Sequence, residues 1–281
     1  MPDQVPQRGL QPANEVVLLQ AYLYELGYLK NIDGVAGPQT SDAVRRFQAA
    51  NGLVVDGVAG EKTWTKLFAL KPDLLAAISA KWLSQDDLQG FATKNQLPMA
   101  TVKAVYEVES GGTGFWGLRP KILFEGHVFW QVSRTLGWDP NEFRAGNEDI
   151  LYPTWDNTKY LGGIAEYARL DRARAINQEA ADRSTSWGLF QILGQSATDL
   201  GYEGGVEEFV DAMNASEREQ LDAFGRFVAF YQTNGYSLLY WLQQQNWEVF
   251  AARYNGPRYK VNRYDTRLQQ AFDRASRTLR Q

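Results

Sequence analysis

The stretch Val102-Lys103-Ala104-Val105-Tyr106-Glu107-Val108-Glu109-Ser110-Gly111-Gly112 decides the fold of the larger part of the chain. Apolar residues lie three, four and seven positions before Glu109, a spacing that puts them on one face of an α-helix. The two glycines favour a helix end directly after Ser110. We therefore expect Glu109 at the C-terminal end of a helix, on its core-facing side, and Glu107 on the outer side.

That position would change the acidity of Glu109. A carboxyl group in apolar surroundings has a raised pKa, because desolvation disfavours the ionised form. The negative end of the helix dipole acts in the same direction. Glu109 is therefore a candidate general acid, protonated near neutral pH and able to donate a proton to a leaving oxygen. The alternative is an exposed glutamate at a frayed helix end.

The rarest residues exclude most other chemistries. The 281 residues contain no cysteine and one histidine, His127. This excludes a thiol nucleophile, a disulfide framework and the usual catalytic zinc site, and a Ser-His-Asp triad would have to use His127. With 33 acidic residues and a net charge of −4, the composition favours carboxylate chemistry without a metal or cofactor. The negative charge gives no global attraction to nucleic acid.

An internal repeat lies near the N-terminus. Asp33-Gly34-Val35-Ala36-Gly37 recurs as Asp56-Gly57-Val58-Ala59-Gly60, and Thr40 and Thr63 follow at the same offset. Each copy predicts a tight Asp-Gly turn followed by a helix with the threonine as its N-cap. The predicted helices at 40–50 and 63–70, together with an amphipathic helix over 14–26, give a three-helix unit over residues 9–70.

These repeats, with Leu26-Gly27-Tyr28, Phe47-Gln48 and Thr63-Trp64, resemble the peptidoglycan-binding domain type 1. The resemblance implies a three-helix bundle that binds murein and has no catalytic activity of its own. The cell-wall-binding residues that it implies are Asp33, Gly34, Asp56, Gly57 and Trp64. Residues 71–83 would connect this domain to the rest of the chain, in part as an apolar helix rather than a flexible linker.

Beyond residue 83 the pattern is mainly helical. Ser84 and Asp87 fit a capping box, and residues 121–125 give the best strand signal. Further helices are expected over 98–109, 157–173, 217–233, 237–245 and 247–254. The predicted fold class is mainly α, with a small three-helix bundle followed by a larger, predominantly helical domain over 84–281.

Three short motifs follow one another in this larger part, namely Glu109-Ser110, Gly188-Leu189-Phe190-Gln191 and Tyr254-Asn255-Gly256. Their order resembles the lysozyme-like superfamily, which includes goose-type lysozymes and soluble lytic transglycosylases. The resemblance implies that Glu109 is the catalytic acid and that Tyr254 hydrogen-bonds it. It also implies that Gly188 lets the backbone approach the sugar chain. The implied substrate-binding residues are Ser110, Gly188, Gln191, Tyr254 and Asn255.

Residues 84–281 resemble more closely the N-acetylmuramidase domain of phages, with Arg119-Pro120-Lys121-Ile122-Leu123-Phe124-Glu125-Gly126-His127 as the hallmark stretch. Glu125 is therefore the second catalytic candidate, since glycoside hydrolysis generally uses a second carboxylate as base or nucleophile. Two alternatives stay open. Glu125 pairs with an arginine such as Arg119, or Asp156 takes the second role, although Asp156 equally suits a helix cap. His127 is expected to be a packed, hydrogen-bonded ring.

Aromatic and basic residues add two further hypotheses. Trp116, Trp130, Trp155 and Trp187 are candidates for stacking on sugar rings, although most would fill the core. Residues 258–281 carry seven basic and two acidic residues beside an apolar face. Such a helix can make weak contact with anionic membranes, or it docks on the domain with its arginines in solvent. No apolar run is long enough to span a membrane.

The combined hypothesis is a monomeric two-domain endolysin that lyses bacterial cells. It would cleave the β-1,4 bond between N-acetylmuramic acid and N-acetylglucosamine, as modular endolysins of phages with Gram-negative hosts do. The first residues carry no signal peptide, so we expect synthesis in the host cytoplasm, holin-type release and action in the periplasm. The alternatives are a lytic transglycosylase, which needs one carboxylate, and a non-catalytic wall-binding protein. The single histidine disfavours a zinc amidase.

Overall fold

The computed structural model describes residues 12–279, so the first residues, on which the expectation about a signal peptide rests, lie outside this range. The N-terminal part consists of α1 (Pro12–Glu25), α2 (Pro38–Ala50), α3 (Glu61–Leu70) and the short α4 (Leu74–Ser79). Tyr22, Phe47 and Trp64, one from each of the first three helices, are fully buried between them. The predicted three-helix unit and the connecting helix are both present.

Two glutamines organise the two halves of this bundle in the same way. Gln20 Nε2 donates to Asp33 Oδ1 at 2.8 Å, and Gln20 Oε1 accepts from the backbone N–H groups of Asp33 and Gly34. Gln48 makes the equivalent bonds to Asp56 and Gly57. Both glutamines are buried, so each Asp-Gly turn is tied to the helix that precedes it.

The same amides hold Thr40 and Thr63, which corrects the role predicted for these residues. Gln20 Nε2 donates to Thr40 Oγ1 at 2.9 Å, and Gln48 Nε2 donates to Thr63 Oγ1 at 3.2 Å. The helices begin earlier, with Gly37 and Gly60 at the N-cap positions. The N-cap prediction is wrong because both hydroxyls face inward and pair with a buried glutamine.

The larger part of the chain is mainly helical, as predicted, with short strands between the helices. Its helices are α5 (Gln85–Lys94), α6 (Met99–Glu109), α7 (Gly126–Thr135), α8 (Glu166–Ile176), α9 (Gln178–Arg183), α10 (Gly205–Ala215), α11 (Glu217–Phe230), α12 (Leu238–Gln243), α13 (Trp247–Tyr254) and α14 (Tyr264–Thr278). Its strands are β1 (Phe115–Trp116), β2 (Arg119–Pro120), β3 (Ile122–Phe124), β4 (Thr185–Trp187), β5 (Ile192–Leu193), β6 (Gln232–Thr233) and β7 (Tyr236–Ser237). Short 3-10 helices lie at Pro140–Phe143, Asn157–Lys159, Gly163–Ala165 and Gly194–Ser196.

Local signals predicted most of these helices but missed α7, α9, α10 and every strand except β3. The capping box of Ser84 and Asp87 is confirmed at the start of α5. The helix predicted over 157–173 is wrong in its first half, because Gly162 and Gly163 have φ values of 70° and 60°, outside the helical region. A Cβ on Gly163 would lie 2.4 Å from the backbone oxygen of Ile32. The chain therefore turns there, and α8 starts only at Glu166.

The central sheet has the antiparallel order β3-β4-β5. Ile122 lies opposite Trp187, which lies opposite Ile192, and all three are buried. On the other face, Leu123 lies opposite Ser186, which lies opposite Leu193, and these three are only partly buried. Side chains alternate along a strand. Lys121 and Glu125, each two residues from Leu123, are therefore expected on this second face as well. We call it the groove face.

The C-terminal helix α14 packs along α6, the helix that carries Glu109. Leu268 and Ala271 are fully buried there, and Arg274 pairs with Glu107 on the outer side. The apolar face of α14 is thus in contact with protein, which is the docked alternative of the sequence analysis. Within residues 12–279, none of the helices is long and apolar enough to cross a bilayer.

The N-terminal bundle contacts the larger part through two loops. Ile164 N donates to Ile32 O at 2.9 Å, and Ala165 N donates to Asn31 Oδ1 at 3.1 Å. A Cβ on Gly34 would lie 3.5 Å from the Trp116 ring. One of the two repeated Asp-Gly turns therefore faces the larger domain rather than solvent.

Candidate active site

Glu109 is the last residue of α6, and its carboxyl group faces a cleft of about 330 Å³. The cleft is lined by Glu109, Phe190, Gln191, Ile192, Leu193, Phe227, Tyr254, Asn255 and Tyr264. Asn255 Nδ2 donates to Glu109 Oε2 at 2.8 Å. Glu109 Oε1 and Asn255 Oδ1 are buried and have no hydrogen-bond partner among residues 12–279. Both oxygens thus lack a protein partner, although neither is exposed to solvent in this structure.

The environment of Glu109 favours its protonated form. Burial raises the pKa of Glu109 from 4.5 to about 7, although the hydrogen bond from Asn255 and the charge of Arg267 act in the opposite direction. The neighbouring Glu107 is exposed and pairs with Arg274. Glu109 is thus not the exposed glutamate of the alternative, and a large fraction of it carries a proton at neutral pH.

Tyr254 has a different hydrogen-bond partner from the predicted one. Its hydroxyl donates to Phe190 O at 2.8 Å, so Asn255 rather than Tyr254 holds the acid. Burial, with a further contribution from the charge of Glu109, raises the pKa of Tyr254 well above its ordinary value. Tyr254 therefore fixes the end of α13 against the β4–β5 turn and shapes the wall of the cleft.

Gly188 and Ser110 are buried against protein neighbours, and their contact with sugar stays a prediction. Gly188 has a φ of 71°, and a Cβ there would lie 2.6 Å from Gln220 Cδ, so the close neighbour of this glycine is Gln220. Ser110 is 1% exposed; its hydroxyl donates to Tyr106 O and accepts from Gly112 N. These two residues build the β4–β5 turn and the end of α6.

Gln191 and Asn255 are the predicted substrate-binding residues that the structure places beside Glu109. Gln191 lies in the β4–β5 turn, where its Nε2 donates to Gly188 O at 2.8 Å. Asn255 follows α13 directly. Both line the cleft, and their contact with a substrate stays a prediction.

Glu125 lies between β3 and α7 in a polar cluster. The hydroxyl of Tyr160 donates to Glu125 Oε2, and His127 Nδ1 lies 3.5 Å from the same oxygen. Arg119 instead lies over the ring of Tyr167, 3.4 Å from its centroid. The pairing of Glu125 with Arg119 is therefore wrong, and the partners of this carboxylate are a phenol and the single histidine.

The groove face relates Glu125 to Glu109. Leu193 of β5 lines the cleft at Glu109, and Leu123, which shares the groove face with Leu193, is two residues from Glu125. Adjacent strands are about 4.8 Å apart, so β3 and β5 are separated by about 10 Å. The groove face thus leads from Leu193, which lines the cleft at Glu109, to the strand that precedes Glu125, and Glu125 itself is not among the residues that line this cleft.

The weaker candidates have mainly structural roles. Asp156 accepts from Thr158 N at 2.9 Å and caps a 3-10 turn, and bonds from Thr158 lower its pKa. Trp116 and Trp187 are buried and Trp130 is partly buried, whereas Trp155 is 54% exposed with Arg258 5.9 Å from its ring centroid. In the bundle, Trp64 is 2% exposed and packs in the core, and its contact with murein stays a prediction.

Two buried polar residues that the sequence analysis missed support the loop after Glu109. Glu217 accepts from Leu83 N at 2.9 Å and from Gly114 N at 2.7 Å, and burial raises its pKa to about 7. Gln220 accepts from Leu189 N at 2.7 Å. The sequence signal that could have found Glu217 and Gln220 is their spacing of three residues on the apolar face of α11.

Across residues 12–279, no three His, Asp or Glu residues are grouped so that they could hold an ion. The chemistry that the cleft itself offers is that of the Glu109 carboxyl group, about half of it protonated at pH 7.

Comparisons with known proteins agree with this arrangement. The N-acetylmuramidase family matches residues 98–276, and a putative peptidoglycan binding domain matches residues 12–67. The chain is similar to a Burkholderia AP3 phage endolysin of known crystal structure. The two sequences are 42% identical, the match covers 94% of this chain and 96% of that chain, and the TM-score is 0.65.

Shorter similarities connect the chain to two curated enzymes. A zinc D-Ala-D-Ala carboxypeptidase of Streptomyces albus G is 52% identical over 15% of this chain and 16% of its own length. A spore cortex-lytic enzyme of Bacillus cereus is 36% identical over 34% of this chain and 38% of its own length. The chain spans less than half the length of these curated relatives.

Proposed function

Because the chain belongs to the N-acetylmuramidase family, we propose that it is a peptidoglycan hydrolase. It cleaves the β-1,4 bond between N-acetylmuramic acid and N-acetylglucosamine, and it acts as an endolysin on the bacterial cell wall. The single observation that carries the proposal is the geometry of Glu109, a carboxyl group with a pKa of about 7 that is held by Asn255 and has one free oxygen in a cleft.

Glu109 supplies the proton for bond cleavage. It donates this proton to the glycosidic oxygen while the bond between that oxygen and the anomeric carbon breaks, which avoids expelling an alkoxide. The bond from Asn255 Nδ2 occupies Oε2, so the unpaired Oε1 is the oxygen that carries the transferred proton in this proposal. After the step the ionised Glu109 keeps the hydrogen bond from Asn255, which stabilises its charge.

Glu125 supplies the second half of the reaction. It accepts a proton from a water molecule whose oxygen bonds to the anomeric carbon, so the bond cleaved is replaced by the elements of water. Tyr160 holds the carboxylate through its hydroxyl, and His127 Nδ1 lies 3.5 Å from the same oxygen. The position of Glu125 outside the lining of the cleft at Glu109 supports a base that acts through a water, which is the arrangement of an inverting glycosidase.

The N-terminal bundle supplies the wall contact. The match of residues 12–67 to a peptidoglycan binding domain supports this role, and tethering raises the effective concentration of the cleft near an insoluble polymer. Residues 1–75 should bind purified sacculi without cutting them, and residues 76–281 should cut them with a lower apparent affinity. Equal binding of sacculi by residues 76–281 and the full chain would refute the anchoring role.

Mass spectrometry of the released muropeptides tests the reaction itself. A hydrolase gives reducing N-acetylmuramic acid ends, whereas a lytic transglycosylase gives anhydromuramoyl ends that are lighter by one water. We expect the reducing product. Anhydro ends throughout would replace the two-carboxylate mechanism with the one-carboxylate alternative, and the absence of both products would leave a wall-binding protein.

Release through a holin-type lesion into the periplasm completes the proposed setting. The similarity to a phage endolysin supports it. Co-expression with and without a holin tests it: lysis should require the holin.

A further inference from the structure

Lys121 lies on the groove face, and its backbone is fixed in place. Its N–H donates to Gly114 O at 2.7 Å, and its carbonyl oxygen accepts from Gly188 N at 2.7 Å. Lys121, Leu123 and Glu125 are partly buried and alternate with the buried Ile122 and Phe124. The side chain of Lys121 therefore projects from the same face as that of Glu125. The two residues are about 13 Å apart along the strand.

The ammonium group of Lys121 is confined but has no acceptor among residues 12–279. Burial lowers the pKa of Lys121, and no hydrogen-bond acceptor or opposite charge acts against this effect. Its neighbours are Gly111, where a Cβ would lie 3.1 Å from Nζ, and the Trp116 ring, whose centroid is 5.4 Å away. The ring attracts the cation, but the ammonium group has three N–H donors to satisfy.

Two other lysines show what a lysine with only a structural role looks like in this fold. Burial also lowers the pKa of Lys81, yet its Nζ donates to the backbone oxygens of Asn214 and Ala215. Lys94 Nζ lies 2.6 Å from Asp222 Oδ1. Lys121 differs from both, since a cation that is partly removed from water without an acceptor costs free energy. An anionic ligand would recover that free energy.

Lys121 Nζ lies beside the loop that follows the candidate acid, because its neighbour Gly111 is two residues after Glu109. We propose that Lys121 binds a carboxylate carried by the muramyl residue of the substrate. This carboxylate is either the lactyl group itself or a group of the attached peptide. The inference rests on the proposed function and adds specificity to it.

The consequence is a register for the glycan. The polymer contains two kinds of β-1,4 bond, and only every second sugar carries a lactyl substituent. A cation at a fixed place in the groove therefore accepts the chain in one of two registers. The bond that follows the muramyl residue is the one presented to Glu109, and the other bond is not.

The test compares the full chain with Lys121→Met, Lys121→Arg and, as matched control, Lys94→Met. Three substrates are used: glycan strands with their peptides, strands stripped of peptides so that the lactyl carboxylates are free, and stripped strands whose carboxylates have been amidated. KM and kcat are measured for each, or Kd in a Glu109→Gln background where turnover is slow.

We expect Lys121→Met to raise KM about tenfold or more on the charged strands, the size of a lost charge-assisted bond, with little change in kcat. On amidated strands, Lys121→Met and the full chain should be equal. Lys121→Arg should lie near the full chain, and Lys94→Met should match it on all strands. An effect confined to peptide-bearing strands assigns the carboxylate to the peptide, and an effect on stripped strands assigns it to the lactyl group.

Two results would overturn the inference, and a third would reject the proposed function on which it rests. In the first, Lys121→Met has the same KM as the full chain on both charged substrates. In the second, Lys121→Met raises KM by the same factor on amidated strands as on charged strands, as a purely structural role predicts. If Lys121→Met does not fold, the unsubstituted chain decides, because it must prefer charged over amidated strands. Failure of the unsubstituted chain to cut any strand would instead reject the proposed function.

Discussion

Asn255 Nδ2 lies 2.8 Å from Glu109 Oε2, and this bond joins two segments that are 146 residues apart in the chain. It connects the end of α6 to the residue that follows α13. Burial pushes the carboxyl group toward its protonated form, and the amide hydrogen bond pulls it back toward the ionised form. The acid therefore titrates near neutral pH because two opposing effects act on one side chain.

The first prediction concerns pH and Asn255. An acid that must be protonated is active below its pKa and inactive above it, so kcat/KM should fall as the pH rises through about 7. Asn255→Leu removes the bond that lowers the pKa, so this alkaline limb should move to higher pH. Loss of orientation should also reduce kcat by roughly 10–100-fold.

Asn214→Leu is the matched control, since the Asn214 amide also donates a hydrogen bond, to Val210 O at 2.7 Å, but outside the cleft. Its pH profile should be unchanged. An alkaline limb that stays in place, or moves to lower pH, in Asn255→Leu would contradict the assigned role of the amide.

The second prediction concerns Glu125. Glu125→Gln keeps the shape of the side chain but cannot accept a proton, so turnover of glycan strands should fall by roughly 10²–10⁴-fold with little change in binding. Tyr160→Phe removes only the hydrogen bond to the carboxylate and should cost about tenfold. The exposed Tyr236→Phe serves as control. Full turnover by Glu125→Gln would favour the one-carboxylate mechanism.

The third prediction concerns stability. The folded-state pKa of Glu217, about 7, lies above the ordinary value of 4.5. Its contribution to stability is therefore fully present below pH 4.5 and is lost as the pH rises through 7, a change on the order of 3 kcal/mol. Glu109 contributes in the same direction.

Thermal unfolding between pH 5 and pH 8 measures this effect. Glu217→Gln should lower Tm, because an amide cannot accept from both Leu83 N and Gly114 N, and it should flatten the fall of Tm with pH. Glu219→Gln, two residues away, should leave the slope unchanged. A slope in Glu217→Gln as steep as in the unsubstituted chain would refute the assignment.

The sequence predicted what depends on local pattern. The bundle, the placement of Glu109 at a helix end and the helix over 247–254 follow from periodicity and from glycine positions. Buried polar pairing was not predictable in this way. Nothing local shows that Gln20 and Gln48 would hold Thr40 and Thr63, or that Glu217 would reach Gly114 across the fold.

The site was predicted in the same uneven manner. The motif order brought Gln191, Tyr254 and Asn255 together beside Glu109, because all of them lie at ends of well-marked elements. The hydrogen bond to Glu109 was assigned to Tyr254 instead of Asn255. The packing of α13 decides which of these two side chains faces the acid. Ser110 and Gly188 have structural roles because their neighbours, Tyr106 and Gln220, come from tertiary packing.

The measurement that tests the central claim most directly is the lysis rate of Glu109→Gln beside Glu107→Gln, on permeabilised cells at pH 7. The amide at position 109 can still accept the bond from Asn255 but has no proton to donate to the leaving oxygen. We expect Glu109→Gln to fold normally and to lose activity by roughly 10²–10⁴-fold, and Glu107→Gln, which breaks an exposed ion pair, to stay within about twofold of the unsubstituted chain. A folded Glu109→Gln that retained more than about a tenth of the lysis rate would contradict the account, because the loss of general acid catalysis is far larger than tenfold.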